Sequence, residues 1–231
     1  MISIRGKWAL VTGASRGVGR RIACGLAEKG CNLILHSRST EHTKDLVEEL
    51  SDKGLRVIAL EADLAFPEAA AAMALEAEKL SAGIDLLYNN AAVTFPWRED
   101  LKAPIEDYRK AFDINTISPI KICDVLLPRM RQRGFGRVIF LTSGIKDQPE
   151  LAPYALSKAA IDKYVKDMVI KLEGENVLMN LLDPGWLRTD LGGPQAPNSV
   201  ETVLPGALIP ALLEKQEGSG RLYQAQDYAC A

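Results

Sequence analysis

A tyrosine and a lysine four positions apart are the side chains of this sequence best suited to moving a proton. Tyr154 and Lys158 fall within a predicted helix, and their spacing puts both on one helix face, within reach of each other. A free tyrosine has a pKa of about 10, but a neighbouring ammonium stabilises the phenolate and brings that pKa toward neutrality. Ser143, at the end of a predicted strand, could hold a substrate oxygen as negative charge develops on it. Because this Tyr–Lys spacing is also common on ordinary helix surfaces, other motifs must decide whether these residues form a site.

A glycine-rich turn between the first predicted strand and the first predicted helix is the second chemical signal. Its residues are Thr12, Gly13, Ala14, Ser15, Arg16, Gly17, Val18 and Gly19. Glycine permits a tight turn and lets backbone N–H groups approach a pyrophosphate, to which the helix N-terminus adds partial positive charge. The Gly-x-x-x-Gly-x-Gly spacing differs from the Gly-x-Gly-x-x-Gly of long dehydrogenases, and it could also build a plain strand-to-helix turn. The strand before it and the helix after it favour a nucleotide site, with Gly13 and residues 15–19 as cofactor contacts.

The end of the second predicted strand indicates which nucleotide would bind. An NAD site usually has an acidic residue there to hold the ribose 2′-hydroxyl, but residues 36–40 contain none. Arg38 and Ser39 lie in this stretch, and Arg16 lies in the glycine turn. Guanidinium groups suit a 2′-phosphate because they form charge-assisted, often bidentate hydrogen bonds. We therefore expect NADP(H) rather than NAD(H), although Arg38 could instead be a solvated surface residue.

Short apolar runs alternate with longer helical patterns, and these elements must position the chemical residues. The predicted strands are 8–11, 32–35, 56–60, 84–88, 137–141, 177–182 and 221–224. The predicted helices are 20–29, 41–53, 67–80, 105–130, 153–173 and 200–215, and the fourth should bend or end at Pro119 and Pro128. Continuous apolar strands between helices favour a parallel sheet covered on both faces. We predict an α/β, doubly wound Rossmann fold: one domain over 1–231, with a single parallel sheet of about seven strands and helices on both faces.

Composition and charge narrow the class of protein. Hydrophobic residues make up 47% of the 231 residues and charged residues 25%, as in a soluble globular protein. The formal net charge of −2 gives no indication of nucleic acid or an anionic membrane as a partner. No apolar run is long enough to span a membrane, no signal-peptide pattern is present, and no cysteine or histidine spacing suggests a metal site. We expect a cytoplasmic protein with free thiols. Its cysteines are Cys24, Cys31, Cys123 and Cys230.

Further motifs make nearly the whole chain resemble the short-chain dehydrogenase/reductase family. Besides the glycine turn and the Ser143, Tyr154 and Lys158 group, they are Asp63-Leu64, Asn89-Asn90-Ala91-Ala92, Asn115 and Asp183-Pro184-Gly185-Trp186-Leu187-Arg188-Thr189. The chain is similar to one-domain members of the carbonyl reductase or 3-oxoacyl reductase kind. It departs from the family pattern in two places. Ala92 replaces the usual glycine, and the interval from Ser143 to Tyr154 is shorter than is common, which affects the intervening loop more than the chemistry.

The resemblance implies a role for each motif. Tyr154 would give its proton to a carbonyl oxygen while the nicotinamide delivers hydride to the carbonyl carbon. Lys158 would depress the pKa of Tyr154 and bind the nicotinamide ribose. Ser143 would orient the carbonyl, and Asn115 would hold a water that links Lys158 to solvent. The further cofactor contacts that the resemblance implies are Asp63, Leu64, Asn89, Ala91, Tyr154, Lys158, Pro184, Gly185, Leu187 and Thr189.

The segment after Pro184 predicts an open substrate pocket. Many relatives have a longer helical lid there, whereas the loop at about 184–200 is short and resembles that of carbonyl-reductase-type members. Each apolar residue near it could equally be ordinary loop packing. The expected substrate contacts are Ser143, Ile145, Tyr154 and Trp186, with Phe95, Trp97 and Leu191 as further apolar candidates.

Together these features predict an NADPH-dependent oxidoreductase that reduces a ketone or aldehyde, with 3-oxoacyl thioesters among the candidate substrates. NAD-linked oxidation of an alcohol or polyol is the alternative enzyme. A regulator that binds NADPH without turnover is the alternative from another class, and the presence of both Tyr154 and Lys158 argues against it. The resemblance also implies a homodimer or homotetramer that pairs the helices over 105–130 and 153–173.

Overall fold

Seven parallel strands form a single sheet in the computed structural model, which describes residues 1–229. The strands are β1 Trp8–Thr12, β2 Asn32–Ser37, β3 Val57–Glu61, β4 Leu86–Asn89, β5 Gly136–Leu141, β6 Val177–Asp183 and β7 Leu222–Gln224. Their order in the sheet is β3-β2-β1-β4-β5-β6-β7. The chain therefore reverses its direction across the sheet between β1 and β4. In open α/β sheets, ligands bind beyond the carboxyl ends of the strands at such a point.

The sheet is covered on both faces because its strands are apolar on both sides. All five residues of β1 are buried. Trp8 and Leu10 join one apolar core, whereas Ala9 and Val11 join the core on the opposite face. This alternation confirms the predicted doubly wound Rossmann fold.

The described residues contain six α-helices around this sheet. They are α1 Gly17–Glu28, α2 Lys44–Ser51, α3 Pro67–Ser81, α4 Ile105–Phe112, α5 Ser118–Arg133 and α6 Ala152–Met168. The predicted helix over 105–130 is divided into α4 and α5 by a π-helical turn at Asp113–Ile117. Pro119 stands in the first turn of α5, where its missing N–H is tolerated, whereas Pro128 lies inside α5 without ending it.

The segment over 200–215 forms a series of 3₁₀ turns, and the prediction of a helix there is wrong. Pro205 and Pro210 cannot donate the backbone hydrogen bonds that an α-helix needs. Gly206 also packs so closely on Ala225 that a Cβ at this glycine would lie 2.2 Å from the Ala225 carbonyl oxygen. The segment still fills the core with apolar side chains, which explains its helix-like pattern. The turns are Val200–Val203, Gly206–Ala211 and Lys215–Glu217.

The cysteines of the described residues are free thiols. Cys31 and Cys123 are buried, and burial raises the pKa of each to about 12, so neither is a reactive thiolate. Cys230, also predicted to be a free thiol, lies outside the described residues. No helix within residues 1–229 is long and apolar enough to cross a membrane.

Candidate active site

The glycine turn after β1 has a shape that depends on glycine. Gly13 and Gly17 have φ values of +66° and +56°, in the left-handed region. At Gly19, a Cβ would lie 2.2 Å from the Gly13 carbonyl oxygen. A side chain at Gly19 would therefore force the turn apart, and the turn presents its backbone to whatever binds there.

The helix that follows this turn is open to an anion. α1 begins at Gly17, and no side chain in the described part of the chain caps its N-terminus or adds an acid to its first turn. The first N–H groups of a helix have no partner within the helix, so they and the helix dipole attract a negative group. Ser15, Arg16 and Val18 contribute their backbone to this region. The residues present therefore fit the pyrophosphate of a dinucleotide.

Asn90, which the sequence analysis did not place among the site residues, joins the glycine turn to the end of β4. Its side-chain amide donates hydrogen bonds to the carbonyl oxygens of Thr12 and Gly13 at 2.8 and 3.1 Å. The Thr12 hydroxyl accepts hydrogen bonds from the N–H groups of Asn90 and Ala91 at 2.9 and 3.0 Å. Asn90 therefore fixes the shape of the turn. The sequence signal that could have identified it is its position in the Asn-Asn-Ala motif.

A buried histidine supports the same turn from β2. His36 Nδ1 accepts a hydrogen bond from the Gly13 N–H at 3.3 Å, and Nε2 lies 3.1 Å from the Ala62 carbonyl oxygen. These partners fit a neutral ring with its proton on Nε2. Burial lowers the pKa of His36 below its ordinary value, which keeps the ring neutral. Nothing in the sequence around His36 predicted that its side chain would contact the glycine turn.

An acid on β3 lies beside the segment predicted to hold a 2′-phosphate. Arg38 is exposed at the end of β2. Arg16 forms an ion pair with Asp190, with Nη1 and Oδ2 2.7 Å apart and each side chain 70% exposed. Glu61, the last residue of β3, accepts a hydrogen bond from the Thr40 N–H at 3.2 Å. The sequence argument considered only the end of β2 and therefore missed the acid on the neighbouring strand.

Two further predicted cofactor contacts, Ser39 and Asp63, follow β2 and β3. Ser39 follows Arg38, and its carbonyl oxygen accepts a hydrogen bond from the Ser37 hydroxyl at 2.6 Å. Asp63 is exposed, and its Oδ1 accepts a hydrogen bond from the Ala65 N–H at 2.9 Å. Both residues therefore have local contacts that set their backbone, and Asp63 remains accessible from solvent.

Three predicted cofactor contacts point their side chains into the protein. Asn89 is buried, and its amide nitrogen lies 3.7 Å from the Cys123 sulfur. Leu64 and Leu187 belong to the two apolar cores. These residues can contact a cofactor only through their backbone atoms.

Tyr154 and Lys158 are almost fully buried on one face of α6, at 9% and 4% exposure. Lys158 Nζ lies 5.8 Å from the centre of the Tyr154 ring and donates a hydrogen bond to the Leu141 carbonyl oxygen at 2.8 Å. Burial lowers the pKa of Lys158 to about 8. Burial also raises the pKa of Tyr154, to which the Asp183 charge adds, while a hydrogen bond with Ser143 opposes the shift. Burial therefore favours the protonated phenol, and the depressed pKa that the resemblance implies stays a prediction.

Ser143 follows β5, and its side chain lies near enough to the Tyr154 hydroxyl to oppose the rise in the pKa of that tyrosine. The Ser143 oxygen accepts a hydrogen bond from the Ile145 N–H at 3.2 Å, which fixes the first turn of this loop. The short interval between Ser143 and Tyr154 contains a 3₁₀ turn at Pro149–Leu151 and still brings the two hydroxyl groups together. Ile145 is half-buried in the same loop.

Asn115 lies in the π-helical turn between α4 and α5, a type of turn that often marks functional sites. Its side-chain oxygen accepts a hydrogen bond from the Val93 N–H at 2.8 Å. Its side-chain nitrogen donates to the Val93 carbonyl oxygen and to the Ser157 hydroxyl, both at 3.0 Å. These contacts use both N–H groups of the amide nitrogen, whereas the amide oxygen keeps one lone pair that could accept from a bound water.

The Pro184–Gly185 segment is fixed from two sides. Asp183 Oδ1 accepts a hydrogen bond from the Gly185 N–H at 2.9 Å. Gln226 Nε2 donates to the Pro184 carbonyl oxygen at 2.9 Å, and a Cβ on Gly185 would lie 2.7 Å from Gln226 Cγ. Neither Asp183 nor Gln226 was predicted as a site residue. Asp183 stands in the quoted Asp-Pro-Gly motif, whereas Gln226 carries no sequence signal.

The loop after this segment lies beside the glycine turn. A Cβ on Gly17 would lie 3.4 Å from the Thr189 methyl carbon, and Arg16 and Asp190 form the ion pair described above. Trp186 is 59% exposed, and its indole N–H donates a hydrogen bond to the Gly192 carbonyl oxygen at 2.7 Å. The structure thus brings the predicted substrate loop and the predicted cofactor turn together.

A parallel sheet of this order, with a glycine turn after β1 and a buried Tyr–Lys pair, is typical of an oxidoreductase that uses a dinucleotide. Comparison with known proteins agrees. The sequence profile described as short chain dehydrogenase matches residues 7–199. The chain belongs to this family and is an NAD(P)-dependent dehydrogenase/reductase.

Individual relatives show how far the similarity extends. Versicolorin reductase 1 of Aspergillus parasiticus is 33% identical over 191 residues, which cover 80% of this chain and 71% of that protein. Several matched curated relatives are longer, and the chain spans 66% of some of them. A 3-oxoacyl (acyl-carrier-protein) reductase from Agrobacterium tumefaciens, with NADP bound, has a TM-score of 0.87 at 26% identity, covering 96% of this chain and 93% of that one. A 7α-hydroxysteroid dehydrogenase complexed with NADH and a 7-oxo bile acid has a TM-score of 0.86 at 25% identity, covering 98% and 95%.

Proposed function

We propose that this protein reduces a ketone or aldehyde to an alcohol with NADPH, and that Tyr154 donates the proton. The observation that carries the proposal is the buried Tyr154–Lys158 pair. Lys158 Nζ lies 5.8 Å from the centre of the Tyr154 ring and is held by the Leu141 carbonyl oxygen at the end of β5, so the tyrosine stands at the carboxyl edge of the sheet with a cation beside it. A carbonyl that gains hydride at carbon needs a proton at oxygen.

Each neighbouring residue has a definite task in this scheme. When bound, NADPH supplies the hydride. Ser143 holds the carbonyl oxygen within reach of the Tyr154 hydroxyl and stabilises the charge that develops on it. Lys158, with a pKa of about 8, can return a proton toward Tyr154 after each turnover. Asn115 would hold the water that connects Lys158 to solvent.

The proposed preference for NADP(H) rests on positively charged side chains near the expected position of the adenosine ribose. Arg16 in the glycine turn and Arg38 after β2 could hold a 2′-phosphate through charge-assisted hydrogen bonds, and the reductase from Agrobacterium tumefaciens binds NADP. Two observations oppose it: Glu61 lies on the neighbouring strand, and the related hydroxysteroid dehydrogenase binds NADH. The ion pair of Arg16 with Asp190 is exposed and weak, so a phosphate can replace the carboxylate.

The substrate is proposed to enter beside the loop at 184–200, which we treat as part of one domain over 1–231. Ile145 and Trp186 are the proposed apolar contacts, and the exposure of Trp186 favours an open pocket that accepts a bulky carbonyl compound. A 3-oxoacyl thioester fits such an opening. NAD-linked oxidation of an alcohol is the second candidate, favoured by Glu61.

Titration of the protein with NADPH and with NADH, followed by fluorescence, tests the cofactor and then directs a carbonyl screen. We expect NADPH to bind at least about tenfold more tightly, with most of that difference lost in Arg38→Ala. Tyr154→Phe should abolish reduction while leaving NADPH binding within about twofold. Tighter binding of NADH would overturn the NADPH assignment, and turnover by Tyr154→Phe would overturn the proton donor.

We also propose a cytoplasmic homodimer or homotetramer that pairs α4 and α5 with α6 of another copy. Light scattering coupled to gel filtration tests the assembly. A monomer at micromolar concentration would contradict it.

A further inference from the structure

We infer that Arg98 is a positioning residue for the substrate. It holds the segment over 93–98, here called the strap, beside the part of the chain that leads into Tyr154. In this position Phe95 and Trp97 of the strap contact the apolar part of a bulky carbonyl compound. The inference rests on the function proposed above, because it assigns a substrate class to the same site. It predicts that Arg98 sets the preference of the enzyme for large ketones over small ones.

The strap is anchored at its first residue by Asn115. Asn115 Oδ1 accepts a hydrogen bond from the Val93 N–H at 2.8 Å, and its Nδ2 donates to the Val93 carbonyl oxygen at 3.0 Å. The same amide nitrogen donates to the Ser157 hydroxyl at 3.0 Å, and that hydroxyl donates to the Tyr154 carbonyl oxygen at 2.7 Å. The first residue of the strap is therefore fixed beside the turn of α6 that follows Tyr154.

The last residue of the strap is anchored twice. The Arg98 N–H donates to the Glu150 carbonyl oxygen at 3.3 Å, and Glu150 lies in the 3₁₀ turn that leads into α6. The Arg98 guanidinium pairs with Asp107 of α4, with Nη2 and Oδ2 3.0 Å apart. Both side chains of this pair are at most 30% exposed, so water screens their attraction less than it does at the surface. The ion pair is the part of this anchor that a substitution can remove.

The two anchors lie on either side of Tyr154 along the chain. Glu150 precedes the tyrosine, and Ser157 follows it. The strap therefore runs past the start of α6, and its central residues border the opening to Tyr154. Phe95 is half-buried and Trp97 is 52% exposed, so the strap offers apolar side chains at this opening. Apolar side chains beside a few polar groups are the usual lining of a site for an organic substrate.

A strained turn directly after the strap indicates that the anchor at Arg98 is held tightly. Leu101 has a φ of +56°, in the left-handed region that disfavours a leucine, and its N–H donates to the Arg98 carbonyl oxygen at 3.1 Å. Arg98 Nε is buried without a partner among the described residues, which also costs free energy. Such costs persist only where the surrounding contacts fix the conformation, and they cluster at ligand sites. The contacts around Arg98 therefore keep a conformation that this loop would not adopt alone.

The experiment measures kcat and KM with NADPH for two methyl ketones that differ in their apolar part, cyclohexyl methyl ketone and acetone. Arg98→Ala releases the end of the strap and removes a contact made equally before and during the reaction. We therefore expect KM for cyclohexyl methyl ketone to rise about tenfold, with kcat and the constants for acetone within about twofold. NADPH affinity should also stay within about twofold, because the strap is not part of the glycine turn. The ratio of the two kcat/KM values, large ketone over small, should fall about tenfold.

Matched variants decide whether the ion pair is responsible. Asp107→Ala should have the same effect, and the double variant should be no worse than either single one, because both side chains act through one pair. Arg98→Lys should recover most of the preference, since its ammonium reaches toward the same carboxylate and a methylene replaces the unpartnered Nε–H. Arg131→Ala is the control: it removes a partly exposed pair with Glu175 at the amino ends of β5 and β6, and it should leave the ratio unchanged.

A second measurement follows the strap itself without any substrate. Acrylamide quenching of Trp97 fluorescence is obtained as the difference between each protein and its Trp97→Phe counterpart. We expect the quenching constant of Trp97 to rise up to about twofold in Arg98→Ala, because a released strap exposes the remaining half of the side chain. The constant should return toward the wild-type value in Arg98→Lys.

The outcomes separate this inference from the proposed function. An unchanged ratio of kcat/KM values in Arg98→Ala would overturn the inference, even though the wild type reduces both ketones. An equal fall of the ratio in Arg131→Ala would also overturn it, since a general loss of stability would explain both results. A wild type that reduces no carbonyl compound, but whose Trp97 quenching rises in Arg98→Ala and returns in Arg98→Lys, would overturn the proposed function and leave the anchoring of the strap in place.

Discussion

The glycine turn after β1 and the loop at 184–200 lie side by side but are held in opposite ways. The turn is fixed by buried and half-buried groups: His36 and Asn90 bond to its backbone, the Thr12 hydroxyl bonds to the end of β4, and Gly19 has no room for a Cβ. Beyond the fixed Pro184–Gly185 segment and the buried Leu187, the loop is held mainly by its own backbone and by exposed contacts, such as the hydrogen bond of Trp186 to Gly192. The cofactor half of the site is therefore rigid, whereas the substrate half is free to differ between related enzymes.

The largest effect is expected when a methyl group is added at Gly19, in the glycine turn. In Gly19→Ala the new Cβ would meet the Gly13 carbonyl oxygen, so the turn must open. We expect NADPH binding to weaken roughly a hundredfold, about 3 kcal/mol, with a lower melting temperature. Gly25→Ala is the matched control in the same helix, because its Cβ would meet only flexible leucine side chains. Equal losses in the two variants would show that helix packing, not the turn, controls binding.

A glycine-to-alanine substitution in the loop should affect the substrate half of the site without affecting the cofactor half. In Gly192→Ala a Cβ would lie 2.1 Å from the Leu187 carbonyl oxygen, which displaces the loop around Trp186. We expect kcat/KM for the carbonyl substrate to fall about tenfold, since loop displacement misplaces the substrate. NADPH affinity should stay within about twofold in a fluorescence titration. A loss of NADPH affinity as large as that of Gly19→Ala would contradict the contrast between the halves.

The contrast also explains what the sequence could predict. Apolar runs such as β1 identified the sheet, because a buried parallel strand must be apolar on both faces. The motifs of the rigid half identified the turn and the Tyr154–Lys158 pair. The Glu61 carboxylate escaped notice because its relation to Thr40 depends on the pairing of β2 with β3, which a linear pattern does not contain.

Errors in the secondary structure have a similar cause. The segment over 200–215 has apolar residues at helical intervals because its short turns fill the core, so periodicity alone could not exclude an α-helix. Its two prolines were the available signal. The ion pair of Arg16 with Asp190 joins residues far apart in the sequence, and no spacing rule predicts it.

A smaller effect concerns the support of the turn by His36. Its neutral Nδ1 accepts the Gly13 N–H, and a protonated ring cannot do so. Because burial lowers the pKa of His36, the neutral form and the stability it contributes are fully present above about pH 6.5 and are lost as pH falls through the lowered pKa.

We therefore expect NADPH affinity to be constant near neutrality and to fall several-fold in acid. His36→Gln should flatten that dependence in titrations across the acid range. His42→Gln, at the exposed second histidine, should retain it. If His36→Gln kept the full acid dependence, another group would have to be responsible for it.

The smallest expected effect lies where the two halves meet. Asp190 of the loop pairs with Arg16 of the turn, and the pair is as exposed as surface ion pairs that contribute about 0–1 kcal/mol. A 2′-phosphate must replace the carboxylate to reach Arg16, so the loop competes weakly with the cofactor. Asp190→Asn should tighten NADPH binding by about two- to fivefold and leave NADH binding unchanged, because NADH has no phosphate at that position. The gain should disappear at high salt, where both interactions are screened. Weaker NADPH binding in Asp190→Asn would mean that the ion pair instead holds Arg16 in place for the phosphate, and that the loop at 184–200 helps to build the cofactor site.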